Sequence, residues 1–391
     1  MAPLTDLLTD HARTARSSVI REILALVDTP DVLSLAGGMP DPATFPVDEL
    51  AAAAEVALRD ESGAALQYGR TEGLPALRDT VASEYSRRCD RIRTADEVLV
   101  TSGSQQALDL VGRTFLDPGD VVAVDDPGYV GAIQALGHHR PEWLPVRVDR
   151  DGIDTEMLED TIRAGARPKI VYTVTDFQNP TGAVLHPERR RHLAAMADRW
   201  DFLVVEDDPY GQIRFGEPPQ PPVASWTDRV ISLGTASKTV APGLRVGWAV
   251  APAEIVTVLA RIKQATDLHT SSLGQHLIHD LMGRPGWMST RAEALGAFYA
   301  ERATALRSAL VDALPDATVE PARGGLFLWV DLPDTDTRLL LPRAIDAGVA
   351  FVPGGAFTAT GDATTTTLRA TFATLGSAGL VEAARRLGSA V

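Results

Sequence analysis

The chain has 391 residues, 45 % of them hydrophobic, and a formal net charge of -15. That length and apolar content allow a large packed core and exclude a disordered polymer. The acidic balance argues against general nucleic-acid binding, which needs a positive surface to displace counterions, but permits a local basic pocket for a small anion.

The N-terminal run MAPLTDLLTDHARTAR lacks the apolar stretch of a secretion signal, and no apolar run approaches membrane-spanning length. The cytoplasm is therefore the expected location. A helix is expected around the alanine run 51–54, opened by Asp48 as its cap after Pro46. The single cysteine, Cys89, can form neither an internal disulfide nor a cysteine-rich zinc site. Residues 97–101 (EVLVT) predict a short strand, and SGSQQALDLVGRTF after it has helical periodicity. A second strand is expected at 120–124 (DVVAV), followed by DDPGY. His138-His139 reads as a loop pair and not as a metal site. A third strand is expected at 169–174 (KIVYTV), then a helix over HPERRRHLAAMADRW with Pro187 in its first turn. FLVV at 202–205 and RVISL at 229–233 complete the series, with the proline-rich patch 218–222 as a surface loop between them.

Apolar runs separated by helices predict an α/β fold with a mainly parallel central sheet covered on both faces. The last third differs. A long helix over about 291–314 leads to strand signals in GGLFLWVDLP, VAFVPGGAF and TTTTLRATFA, and then to a terminal helix. This predicts a smaller α+β domain over 289–391 after a large domain over 47–288. Residues 1–46 are expected to form a segment contributing to the small domain and the substrate cleft.

Reactive residues gather just after the predicted strands, where ligands of parallel sheets bind. Ser102-Gly103-Ser104-Gln105, Tyr129, Asn179, Asp207, Tyr210 and Lys238 are all so placed. Free N–H groups at a helix start suit a phosphate, although Ser102 or Ser104 could equally be an ordinary helix cap. A carboxylate at Asp207 could be catalytic, a metal ligand or a cap. A lysine such as Lys238 is usually a solvated charge, but in a crevice it can act as a Schiff-base nucleophile.

The segments SLAGGMPDPATFP, YGRTEGLPALR, TSGSQQALDL, DDPGYVGA, FQNPTG, VVEDDPYG and GTASKTVAPGLRVGW occur in that order, followed by RGGLFLWVDLP, FVPGGAF and TLRATFA. Together they resemble the fold-type-I, class I/II aminotransferases dependent on pyridoxal 5′-phosphate (PLP), in the branch of the 2-aminoadipate and kynurenine aminotransferases. The resemblance covers nearly the whole chain. It implies that Lys238 carries PLP as a Schiff base, that Asp207 pairs with the pyridine nitrogen, and that Tyr210 and Asn179 bond the ring's phenolic oxygen. It implies that Tyr129 stacks on the ring. Ser102, Gly103, Ser104, Gln105, Thr235, Ser237 and Arg245 would hold the phosphate. Arg369 and Gly38 would take the substrate carboxylate, with Arg21 near a distal acidic group. Tyr68 would reach the phosphate of a neighbouring subunit, which implies a homodimer with shared sites; 268–271 would approach from the partner too.

The implied reaction moves an amino group from an L-amino acid of 2-aminoadipate, glutamate, aromatic or branched-chain type to a 2-oxo acid, 2-oxoglutarate foremost. Two alternatives stand beside it: a lyase, decarboxylase or cyclase on the same fold, and a regulator with an aminotransferase-like domain. The sequence departs from the family where Thr175-Asp176 replaces a common proline or asparagine, and where DDPGY has glycine in place of threonine. Both loops border the substrate.

Overall fold

The computed structural model describes residues 3–9, 12–13, 23, 31–361 and 365–391. Among these, β1 (Leu33–Ser34) is followed by eight strands of one sheet: β2 (Val98–Thr101), β3 (Val121–Asp126), β4 (Glu142–Asp149), β5 (Gly152–Ile153), β6 (Pro168–Val174), β7 (Leu203–Asp207), β8 (Val230–Thr235) and β9 (Gly247–Val250). The order across the sheet is β2-β9-β8-β7-β6-β3-β4-β5. Pairing is parallel from β8 through β4, while β9 and β5 run antiparallel to their neighbours.

The helices are α1 (Val47–Arg59), α2 (Ser62–Ala65), α3 (Pro75–Cys89), α4 (Ser104–Phe115), α5 (Val130–Gly137), α6 (Thr155–Arg163), α7 (Pro187–Trp200), α8 (Ala253–Thr266), α9 (Ser272–Gly283), α10 (Trp287–Ala313), α11 (Thr337–Asp346) and α12 (Ser377–Ala390). Strand residues alternate between two cores, as a period of two requires. Val98, Val100, Val171 and Val204 pack with Leu77 and Val81 of α3 and Leu193 of α7. Leu99, Ile170, Tyr172 and Val205 face the other way, onto Ala107, Leu108 and Val111 of α4. Both faces are covered, which explains why these strands read as unbroken apolar runs.

The last third carries β10 (Thr318–Val319), β11 (Phe327–Asp331), β12 (Val349–Ala350), β13 (Val352–Pro353) and β14 (Thr367–Thr371). Four of them form an antiparallel sheet in the order β10-β11-β14-β13. Leu295, Leu306 and Leu310 of α10 and Leu380 and Leu387 of α12 share one core with this sheet. β12 pairs in parallel with β1, so residues 33–34 join the C-terminal third rather than the large sheet.

Several boundaries differ from the sequence reading. Asp48 is not the cap of α1: Pro46 holds that position, Leu50 N–H donates to the Pro46 carbonyl, and Asp48 lies inside the first turn. There its carboxylate faces the positive end of the helix dipole instead of bonding a free N–H. Neither Ser102 nor Ser104 caps α4, because Gly103 is the cap residue and makes no side-chain bond. β7 runs on to Asp207 and β8 to Thr235, so polar residues read as loop finish the strands through their backbones. Strands β4, β5 and β9 were not expected from the residue pattern. Among the described residues, no helix is long and apolar enough to cross a membrane. Nor, among them, does any group of three or more His, Cys, Asp or Glu side chains stand ready for a metal ion.

Candidate active site

The carboxyl ends of β3, β6, β7 and β8 lie along one side of the large sheet, and there Arg369 of β14 bonds Asn179 and Phe327 of β11 packs on Tyr210. Asp207 ends β7 and alternation turns it to the same face as Val205 and Tyr172. Its Oδ2 accepts a hydrogen bond from the Tyr172 hydroxyl at 2.8 Å. Its Oδ1 is buried and has no partner. Burial pushes the Asp207 carboxyl up to about 7; the Tyr172 bond pulls it back, while Asp208 and Asp125 push it further.

Lys238 follows β8 in a tight turn. Its Nζ donates to the Gly38 carbonyl at 2.8 Å and lies 5.8 Å from the centre of the Tyr210 ring. Burial, then Arg369 and Arg245, bring this amine down to about 8. A neutral amine is thus within reach near neutral pH, as a nucleophile or proton carrier requires.

Arg369 sits in mid-strand on β14 and is 1 % exposed. Its Nη1 donates to Asn179 Oδ1 at 2.8 Å and its Nη2 to the Ala36 carbonyl at 2.6 Å. The guanidinium carbon lies 4.2 Å from the Phe327 ring centre and 4.9 Å from that of Phe357. Its Nε has no partner. Burial lowers its pKa to about 10, so it stays charged at neutral pH. Tyr210 is buried edge-on to Phe327, and burial raises its hydroxyl pKa while Arg369 and a bond with Asn179 act against the rise.

The α4 start forms a cradle. Gly103 has φ +82°, and a Cβ there would stand 2.5 Å from Arg245 Nη2. Arg245 Nη2 also donates to the Ser102 carbonyl at 3.2 Å. Thr235 Oγ1 donates to Ser237 Oγ at 2.9 Å and accepts from Ser237 N–H. Gln105 Nε2 donates to the Gly131 carbonyl, and the Tyr129 hydroxyl lies 3.5 Å from Gln105 Oε1. Ser104 is the first residue of α4. The Ser102 hydroxyl turns away, donating to Asp267 Oδ2 at 2.9 Å, so Ser102 reaches the cradle by its backbone only. Burial raises the Tyr129 hydroxyl to about 12, with smaller effects from Asp207, Arg369 and Arg245. These shared influences tie cradle, carboxylate and Arg369 together electrostatically.

Tyr68 stands apart in the described chain. It is 79 % exposed and touches His269 edge-on at 6.0 Å. Residues 268–271 join α8 to α9, whose cap is Ser271. Arg21 lies outside the described residues. Sequence reasoning missed Tyr172, because a tyrosine inside a buried strand reads as core. It also missed the ion cluster behind the site. Asp176 meets Arg190 at 3.1 Å and Arg214 at 2.9 Å, with the Asp176 and Arg190 side chains fully buried. Charged residues at 14 and 38 positions' distance give no periodic signal.

A buried unpaired carboxylate oxygen, an amine within reach of neutrality, a glycine cradle closed to any side chain and a partnerless guanidinium N–H suit a molecule with a protonated ring nitrogen, an aldehyde and a phosphate. That is the chemistry of a PLP enzyme. A family model for aminotransferase class I and II matches residues 30–387, and the chain belongs to that family. It is 42 % identical to a 2-aminoadipate transaminase of Thermus thermophilus over 96 % of this chain and 94 % of that one. It is 38 % identical to aromatic-amino-acid aminotransferase 1 of Thermococcus litoralis over 98 % and 93 %. The solved kynurenine aminotransferase of Pyrococcus horikoshii, in complex with PMP, superposes with a TM-score of 0.95 at 38 % identity, covering 100 % of this chain and 98 % of that one. The protein is thus a PLP-dependent enzyme that exchanges amino groups between an amino acid and a 2-oxo acid.

Proposed function

We propose that the chain transfers the amino group of an L-amino acid of 2-aminoadipate, glutamate, aromatic or branched-chain type to a 2-oxo acid, chiefly 2-oxoglutarate, in two half-reactions. The observation that carries this reading is Arg369: a buried guanidinium, fixed by Asn179 and Ala36, with its Nε donor unspent. An α-carboxylate satisfies that donor and neutralises the buried charge. Gly38 is proposed to assist at the same carboxylate; its carbonyl accepts from Lys238.

PLP, when bound, supplies the electron sink for the pair left when a Cα proton departs. Lys238 would hold it covalently, with Asp207 at its ring nitrogen and Tyr210 and Asn179 at its phenolic oxygen. Tyr129 would cover the ring, while Gly103, Ser104, Gln105, Thr235, Ser237 and Arg245 would take the phosphate, with the Ser102 backbone beside them. Released from the cofactor by the substrate, Lys238 Nζ would be free to take the proton from Cα and to hand it to the cofactor carbon that the lysine had held. An amine with a pKa of about 8 can do both near neutral pH. Arg369 meanwhile fixes the carboxylate, and so the direction of the Cα–H bond. Arg21 is proposed for a distal acidic group. Tyr68 is proposed to serve the site of a second copy in a homodimer.

The test is a screen of amino donors and oxo-acid acceptors on the purified yellow protein. Bleaching by a donor, reversed by an oxo acid, is expected. Ammonia or a cleaved side chain formed without an acceptor would identify a lyase instead.

A further inference from the structure

Asp207 has two oxygens in unlike settings. Oδ2 takes the Tyr172 hydroxyl at 2.8 Å; Oδ1 is buried with no partner. Tyr172 is fully buried on β6, packed in the core that includes Val205 and Val174. A phenylalanine would fill the same volume without a buried hydroxyl to satisfy, so the hydroxyl's use is the bond it makes. β6 lies between β3 and β7, and the register sets Tyr172 beside Val205, one alternation below Asp207. The hydroxyl is therefore held by the sheet itself rather than by a loop.

We propose that Tyr172 is a positioning residue: by occupying Oδ2 it orients the Asp207 carboxylate and leaves Oδ1 as the acceptor for the cofactor's ring N–H. The proposal rests on the reading of Asp207 as the partner of that nitrogen. The groups around Asp207 make the donor matter. Asp125 on β3 is buried, with Oδ2 bonded by the Val174 N–H and Gln178 and Oδ1 unpartnered. Asp208 follows on the chain, and the charge of Asp207 raises the pKa of the Tyr129 and Tyr210 hydroxyls. Burial and both neighbouring aspartates favour a protonated Asp207, and Tyr172 is the hydrogen-bond donor that opposes them. A protonated Asp207 would donate to the ring nitrogen rather than accept from it, and the ring would lose its charge. Substrate binding through Arg369 would be untouched.

The experiment is Tyr172→Phe, alone and combined with Asp207→Asn. Three quantities are read: the ionisation midpoint of Asp207 in the cofactor-free protein, by infrared difference against Asp207→Asn; the PLP dissociation constant; and kcat separately from the amino-donor KM. A lost hydrogen bond to a charged group should raise the midpoint by about one pH unit or more, weaken PLP binding about tenfold or more, and lower kcat with KM held. In the Asp207→Asn background the same change should add nothing further. An unshifted midpoint with unchanged PLP affinity overturns the role of Tyr172. If Asp207→Asn alone leaves PLP affinity and kcat intact, the reading of Asp207 fails, and this proposal with it. Should the phenylalanine variant not fold, 3-fluorotyrosine placed at position 172 keeps the shape with a more acidic hydroxyl. The midpoint must then fall; a fixed midpoint overturns the proposal.

Discussion

At the residue scale, Lys238 shows how environment turns a common side chain into a reagent. An exposed lysine is almost wholly protonated at neutral pH; this one is brought to about 8 by burial and two arginines. Lys238→Ala is expected to lower the rate of the donor half-reaction by about 10²–10⁴-fold, the range for a lost general acid–base group. Single-turnover bleaching of the yellow protein by the amino donor measures this, and a wild-type rate would refute the assignment. Lysine, aspartate and arginine were legible in the sequence because each stands at a strand end or within a motif of the family. Tyr172 was not, since nothing in KIVYTV separates a tyrosine that packs from one that packs and also donates. Ser102 was legible only in part: its place beside the cradle is right, but its hydroxyl is claimed by Asp267, a residue distant in sequence.

At the element scale, two loops show what the pattern of residue types leaves open. Gly103 is needed at the α4 start on two counts, its positive φ and the 2.5 Å approach of Arg245 to any Cβ. Gly103→Ala should therefore push Arg245 out of the cradle. PLP affinity is expected to drop about tenfold or more, and the strained backbone is expected to lower the melting temperature of the cofactor-free protein as well; fluorescence titration with PLP reads the first and thermal melting the second. The second loop is the departure at Thr175-Asp176. In the structure Asp176 is a buried anion that binds Arg190 on α7 and Arg214 beyond β7, just before Asn179. Arg214 also reaches the C-terminal third through a bridge to Gly324. Asp176→Asn would remove the carboxylate that two buried cations share, leaving Arg190 with Glu206 at 3.7 Å, and is expected to cost about 3–5 kcal/mol at neutral pH. Burial favours the neutral acid here, but Arg190, Arg214 and Arg88 outweigh it and hold the Asp176 carboxyl to about 2. Its folded pKa is thus below the unfolded value, so its stabilisation is present above the ordinary carboxylate range. That stabilisation fades as pH falls toward 2. Urea melts of both proteins across this range should show the wild-type advantage shrinking with acid. The sequence displayed the unusual pair but not its partners, because ion pairing across 14 and 38 residues is a property of the fold.

At the scale of the whole molecule, the large sheet was legible because strands buried on both faces are apolar throughout, and the family motifs fall between them in order. The edges were not. β4 carries a proline and charged residues, β5 has two residues, and β9 hides within a motif read for its arginine. β1 joins strands more than 300 positions away, a pairing no local pattern announces. The same limit applies to assembly. Tyr68, the first residue of YGRTEGLPALR, is 79 % exposed, and Leu66, two residues before it, is 66 % exposed. Large exposed apolar side chains next to a functional motif suit an interface. If Tyr68 serves the site of a second copy, a protomer with Tyr68→Ala keeps its own Lys238 but lacks its partner's help. A Lys238→Ala protomer lacks the amine but can lend its tyrosine. Mixed under conditions that exchange subunits, the two should form about half heterodimers, each with one complete site. Activity should then rise to about a quarter of wild type, above the average of the two parents. Steady-state rates on mixtures of varied ratio, with sedimentation to count subunits, give the answer. A rate that stays on the line between the parents means that Tyr68 works, if at all, within its own chain.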